Sequence, residues 1–250
     1  MIELSRRKLL RTASVLAASS TTEASHSGTT AQQRYKVVVV GAHPDDPESS
    51  CGGTVARYSD FGHEVVLLYL TRGEAGIPGK TASEAATIRT LEAQRACEIL
   101  KARPIFVGQI DGTTEISRAH YDHFRSLIEK EQPDVAFVPW PIDSHRDHRV
   151  ASMLAYDAWE RSGHRFELYF SEVNLGAETK SFQPTHYVDI SMVVERKRLA
   201  CFAHQSQNPN DFYGHYHEPM QRFRGLEAGC QAAEAFVRAA QSPPRYCLPA

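Results

Sequence analysis

Two clusters of ionisable side chains carry the chemistry of this sequence. The first, His43-Pro44-Asp45-Asp46, follows four valines, Gly41 and Ala42. Adjacent carboxylates repel each other, and they coexist when a cation lies between them or when one keeps its proton. The neighbouring imidazole adds a nitrogen donor. Nitrogen plus carboxylate oxygen suits zinc in a site that keeps one coordination position open. The plainer alternative is a polar loop in which Asp46 or Ser49 caps the following helix. The second cluster, His145-Arg146-Asp147-His148, is an H-x-D-H pattern. A histidine pair near a helix start is by itself a moderate signal. It gains meaning only if the fold brings the two distant clusters together.

The elements between them say how that can happen. Short, almost wholly apolar runs predict strands over 36–41, 64–71, 104–107 and 134–138. Helices are expected over 52–61, 82–101, 117–130 and 149–159, the second with an apolar stripe through Ala85, Ile88, Leu91, Ala96, Ile99 and Leu100. Apolar strands alternating with helices predict an α/β fold with a mainly parallel sheet covered on both faces, a Rossmann-like three-layer sandwich. Such sheets bind ligands beyond the carboxyl ends of their strands. Both clusters stand there, the first after the first strand and the second after the fourth. Further on, strands are expected over 166–173 and 185–190 and helices over 192–204 and 227–240. No linker interrupts residues 34–250, so they form one domain.

Composition narrows the function classes. A chain of 250 residues can bury a sizeable core. A net charge of -2 gives no general attraction to nucleic acid or acidic membranes. No apolar run is long enough for a membrane span. The five cysteines form no C-x-x-C pair, which argues against a thiolate zinc knuckle or a thioredoxin-like redox site. They read as buried or inert thiols, with a Cys230–Cys247 bridge open to an exported protein. The first strand lacks G-x-G-x-x-G, so nucleotide binding is a weak alternative. Residues 1–33 carry Arg6-Arg7, a short apolar segment from Leu9, and then a Ser/Thr/Ala-rich stretch. They resemble a twin-arginine export signal, which predicts a periplasmic or extracellular protein. A disordered basic terminus on a cytoplasmic protein is the alternative.

"AHPDDPESSCGGT" together with "SHRDH" resembles the PIG-L / LmbE-like family of zinc-dependent N-deacetylases, whose motifs read AHPDD-x-E followed by GGT, and H-x-D-H. "LTRGEAG", "IRTLEA", "VGQIDG" and the late "CFAHQSQ" and "GLEAGCQAAEAF" extend the resemblance over about residues 34–240. It implies that His43, Asp46 and His148 hold one zinc, another divalent metal being possible. Asp45 is then the general base. His145, as imidazolium, is acid and oxyanion stabiliser, and Asp147 orients it. Arg89 and Asp111 become substrate contacts. The implied reaction is deacetylation of a small N-acetylated amino sugar or its conjugate. The alternatives are hydrolysis of another acyl amide on a glycoconjugate and a metal-bearing carbohydrate-binding protein without turnover. Arg146 stands where the family often has proline, and Asp143 where some members have tyrosine. The run "HQSQNPNDFYGHYHEP" suits a loop at the mouth of the site, with Tyr213 or Tyr216 touching sugar; His204, His215 and His217 also admit a second metal site.

Overall fold

Alternation along the two central strands sets the layers. In the computed structural model, which describes residues 33–173, 178–245 and 247–249, β1 (Lys36–Gly41) and β2 (Glu64–Tyr69) bury every residue after their first. Val37 and Val39 face one core, and Val38 and Val40 face a second. Each buried valine contributes about 1.5–3 kcal/mol. Following the chain, α1 is Asp46–Asp60, α2 Ala82–Leu100, β3 Arg103–Phe106, α3 Arg118–Glu131, β4 Val135–Pro139, α4 Arg146–Arg161 and β5 Glu167–Ser171. Then come β6 (His186–Asp189), α5 (Val194–Phe202), α6 (Pro209–Phe212), α7 (Glu218–Ala228) and β7 (Ala233–Arg238). One core takes side chains from α1, α2 and α5, the other from α3 and α4. This is the three-layer α/β arrangement read from the sequence.

The sheet order is β3-β2-β1-β4-β5-β7-β6. The pairs among β1 to β5 are parallel, while β7 is antiparallel to both β5 and β6. The order reverses between β1 and β4, so the loops leaving those strands splay apart and open a crevice at their carboxyl ends. The two ionisable clusters are carried by these two loops. No described helix is long and apolar enough to cross a membrane.

Three expectations change. The helix expected over 227–240 is strand β7: α7 stops at Gly229, which has φ 74°, and the chain then enters the sheet. Alanine-rich sequence favours helix locally, but sheet pairing and one buried carboxylate outweigh that preference. Glu234 on β7 accepts the backbone N–H groups of Gly53 and Thr54 at 2.9 and 2.7 Å and the ammonium of Lys197 at 2.6 Å. Helix α1 starts at Asp46, not at residue 52, so its first turn belongs to the ionisable cluster. The helix expected over 192–204 is a 3-10 turn leading into α5. All five cysteines are free thiols, Cys230 and Cys247 included. The expected export signal falls almost wholly outside the described residues.

Candidate active site

The turn out of β1 shapes the first half of the site. A Cβ on Gly41 would come within 2.6 Å of the Pro47 ring, so glycine is what lets α1 begin so close to the strand. Asp46 Oδ2 accepts the N–H groups of Ala42 and His43, both at 2.8 Å, and ties the loop down. Asp45 is the N-cap residue of α1, at φ 114°, where a non-glycine residue is strained. Its carboxylate caps nothing. It lies 3.2 Å from Nη2 of Arg89, a buried residue of α2 that also donates to the Pro44 carbonyl at 2.5 Å. A Cβ on Gly73, at φ 71°, would meet the Arg89 side chain at 2.5 Å, so this arginine reaches the loop only past a glycine.

The start of α4 shapes the other half. His145 is its N-cap residue, and its Nδ1 accepts the backbone N–H of Asp147 at 3.2 Å. Asp143 Oδ1 accepts the backbone N–H of His145 at 2.7 Å and lies 3.3 Å from His148 Nδ1. That leaves His148 Nε2 facing Asp46, 3.4 Å from Oδ1. His43 Nδ1 lies 3.5 Å from Asp46 Oδ2. The ring centroids of His43, His145 and His148 are 4.6–5.4 Å apart. Asp147 is fully buried and accepts from Thr114 at 2.7 Å and from the Gly112 N–H at 2.8 Å. With Asp111 it flanks His43 Nε2, at 3.4 and 3.1 Å.

Charge is concentrated here. Burial raises the Asp45 carboxyl above the usual carboxylate range; Arg89 opposes this and Asp46 adds to it. Burial opposes ionisation of Asp46 too, but His148 and His43 hold its carboxyl well below that range. Burial disfavours charge on His148, yet Asp46 and Asp143 bring its pKa to about 10. His43 is raised against its burial by Asp111, Asp147 and Asp46. The carboxylates therefore call for positive charge between them. Atoms held about 2.0–2.2 Å from one ion in tetrahedral directions lie about 3.3–3.5 Å apart. Asp46 Oδ1 with His148 Nε2 and Asp46 Oδ2 with His43 Nδ1 each fall at that spacing, through different oxygens of one carboxylate, so the cluster could hold a metal ion. Each imidazole also has a carboxylate on its far nitrogen, the usual support for a metal-bound histidine. His43, His145 and His148 also bring ligand atoms within 4.8 Å of one another, as do His43, Asp111 and Asp147.

A cavity of about 640 Å³ opens over the cluster, and all eight site residues expected from the sequence line it: His43, Asp45, Asp46, Arg89, Asp111, His145, Asp147 and His148. Two differ from their expected contacts. The Asp147 carboxylate is engaged by Thr114, Gly112 and His43, and Asp147 meets His145 through its backbone N–H. Burial lowers the proton affinity of His145, His43 and His148 lower it further, and its Nδ1 already accepts a hydrogen bond. These contacts favour a neutral ring over the expected imidazolium. Arg89 stands beneath the loop as the partner of Asp45, and Asp111 beside His43. Sequence reasoning did not single out Asp143 as a support for His148, nor Thr114 and Gly112 as anchors of Asp147. An aspartate two residues before H-x-D-H was the available signal. The late histidine run does reach the cavity, through His204, Gln207, Pro209, Phe212, Tyr213 and His217.

The model of the PIG-L family, GlcNAc-PI de-N-acetylase, matches residues 38–159. A diacetylchitobiose deacetylase of Thermococcus kodakarensis is 31% identical over 229 residues, 85% of each chain. A 2'-N-acetylparomamine deacetylase of Streptomyces fradiae is 24% identical over 212 residues, 72% of this chain and 76% of its own. Among solved structures, the N,N'-diacetylchitobiose deacetylase of Pyrococcus horikoshii superposes with a TM-score of 0.72 at 25% identity, covering 84% of this chain and 88% of that one. Sheet order, loop-borne cluster and sequence likeness agree: the chain belongs to the PIG-L / LmbE-like family of deacetylases, hydrolases acting on N-acetyl amides.

Proposed function

We propose that this chain removes the acetyl group from an N-acetylated amino sugar, free or in a short glycoconjugate, with one zinc ion held by His43, Asp46 and His148. The observation that supports it most is the position of Asp46, 3.4 and 3.5 Å from the ring nitrogens of His148 and His43, inside a cavity large enough for a disaccharide. The relatives named for diacetylchitobiose and acetylparomamine support the sugar class. A bound zinc ion supplies Lewis acidity toward the amide carbonyl and lowers the pKa of water to about 7.

The chain's own residues do the rest. Asp45 has no capping duty, and about a third of its side chain is open. It takes the proton of the attacking water, and its raised pKa suits it to hand that proton on to the departing amine. His145 accepts at Nδ1, so its proton sits on Nε2, and in this scheme it donates to the oxygen that becomes negative during attack. The N-terminus of α4 disfavours a cation there, which agrees with a neutral donor. Arg89 keeps the Asp45 carboxylate in place. Asp111 and Asp147 fix the His43 ring.

Purified protein with zinc should release acetate from N,N'-diacetylchitobiose. Asp45→Ala should abolish release while the protein keeps its metal. Full activity of that variant would reject the role given to Asp45. We further propose export before function, on the strength of Arg6-Arg7; precursor retention on changing both to lysine would test it.

A further inference from the structure

Behind Asp45 lies a buried acid–imidazole pair that the hydrolytic scheme does not use. Glu48, on the first turns of α1, and His204, just past α5, are 0% and 1% exposed. His204 Nε2 is 3.2 Å from Glu48 Oε1, and the Tyr69 hydroxyl donates to that same oxygen at 2.7 Å. Neither ring nitrogen of His204 has a hydrogen-bond partner of good geometry among the described residues, so Nε2 meets Glu48 as a charge contact only, and Glu48 Oε2 has no partner among them either. Buried polar atoms are rarely left so.

The segment bearing this ring is firmly held. Ser206 donates through its N–H and its hydroxyl to the two oxygens of Glu92, both at 2.7 Å, and Gln207 donates to the Gly76 carbonyl at 3.1 Å. His204 and Gln207 both line the cavity, on the wall they share with Asp45, Arg89 and Gly76. The chain thus fixes in the cavity wall an imidazole that feels the Asp45 charge, holds an acid against its Nε2, and leaves Nδ1 without a hydrogen-bond partner among the described residues.

On the deacetylase reading above, we propose that His204 is a specificity-determining residue whose Nδ1 hydrogen-bonds a ring hydroxyl of the amino sugar, with Glu48 as the residue that positions it. Burial disfavours charge on this ring, but Glu48 and Asp45 outweigh it. The ring is therefore a ready donor to a hydroxyl oxygen. Ligand completes the hydrogen bonding that the free protein leaves open. An acyl amide without ring hydroxyls cannot do so.

The test is a cycle of enzyme and substrate changes, with kcat/KM as readout. The substrates are glycosides of N-acetylglucosamine and analogues lacking one ring hydroxyl each; the enzymes are wild type, His204→Ala and His204→Asn. For one hydroxyl, its removal should slow the wild type on the order of 10–100-fold and slow His204→Ala no further. His204→Asn, whose amide lies near the position of Nδ1, should recover most of the loss. If His204→Ala folds poorly, Glu48→Gln provides a second cycle and should weaken the same coupling. Losses that multiply at every hydroxyl in an active enzyme overturn this proposal alone. A wild-type chain inactive on the whole series overturns the substrate reading and this proposal with it.

Discussion

Asp45 and Asp46 are neighbours with opposite environments, and that contrast is the chemical content of the first loop. Asp46 is pinned by two backbone N–H groups and two imidazoles, so it stays ionised. Asp45 is held at a strained φ, and burial raises its pKa. The pair was legible in the sequence because adjacent carboxylates beside a histidine demand a cation or a shared proton. Asp143 was visible only as an aspartate two residues before H-x-D-H, which does not disclose its task. That task depends on the loop between β4 and α4 folding back so that one carboxylate oxygen meets both the His145 N–H and His148 Nδ1. Its removal should leave His148 without an orienting partner. Asp143→Ala should weaken metal binding about 10–100-fold, as losses of such supporting carboxylates do. Competition against a chromophoric chelator measures this, and unchanged affinity would show that His148 needs no such support. Arg89→Met should keep the metal and lower kcat by roughly tenfold or more, because Asp45 then loses its partner; an unchanged kcat would dismiss that role.

At the scale of elements, the sequence announced the strands well and the last third poorly. β1, β2 and β4 are closed apolar runs, and their kind and order followed from composition and length. β7 contains two alanines, a glutamate and an arginine within its six residues, a mixture that locally favours helix. What makes it a strand lies on other elements: β5 and β6 on its flanks, Lys197 on α5 and two N–H groups of α1. The Lys197–Glu234 pair is fully buried and couples α5, α1 and β7. Removing one partner strands a charge in the core, so Lys197→Met should destabilise the fold by about 3–5 kcal/mol in denaturant titrations. Lys197→Met combined with Glu234→Met should recover part of it. A single substitution with no effect would show that the pair is not needed. Gly73→Ala acts between elements: its φ of 71° resists a side chain, and the added carbon would collide with Arg89. The stability loss should come with reduced activity, through displacement of the partner of Asp45.

For the whole molecule, the switch point between β1 and β4 is the organising feature, since it lets two loops far apart in sequence share one cavity. That cavity also sets a pH limit. Burial lowers the pKa of His217 in its wall to about 3, and Lys197 pushes the same way. The unfolded chain has an ordinary histidine near 6.5. Between those values the unfolded state binds the extra proton, so this contribution is intact above about pH 6.5 and is lost as pH falls toward 3, at about 1.4 kcal/mol per unit. Melting temperature should therefore fall on acidification below pH 6.5, and His217→Gln should flatten that fall. An equal slope in both proteins would assign the acid sensitivity elsewhere. The account as a whole rests on where one divalent ion sits. Anomalous diffraction from zinc-loaded crystals locates it directly. The predicted result is a single peak about 2.0–2.2 Å from Asp46, His43 Nδ1 and His148 Nε2; a peak among His43 Nε2, Asp111 and Asp147, or none in this cavity, would contradict it.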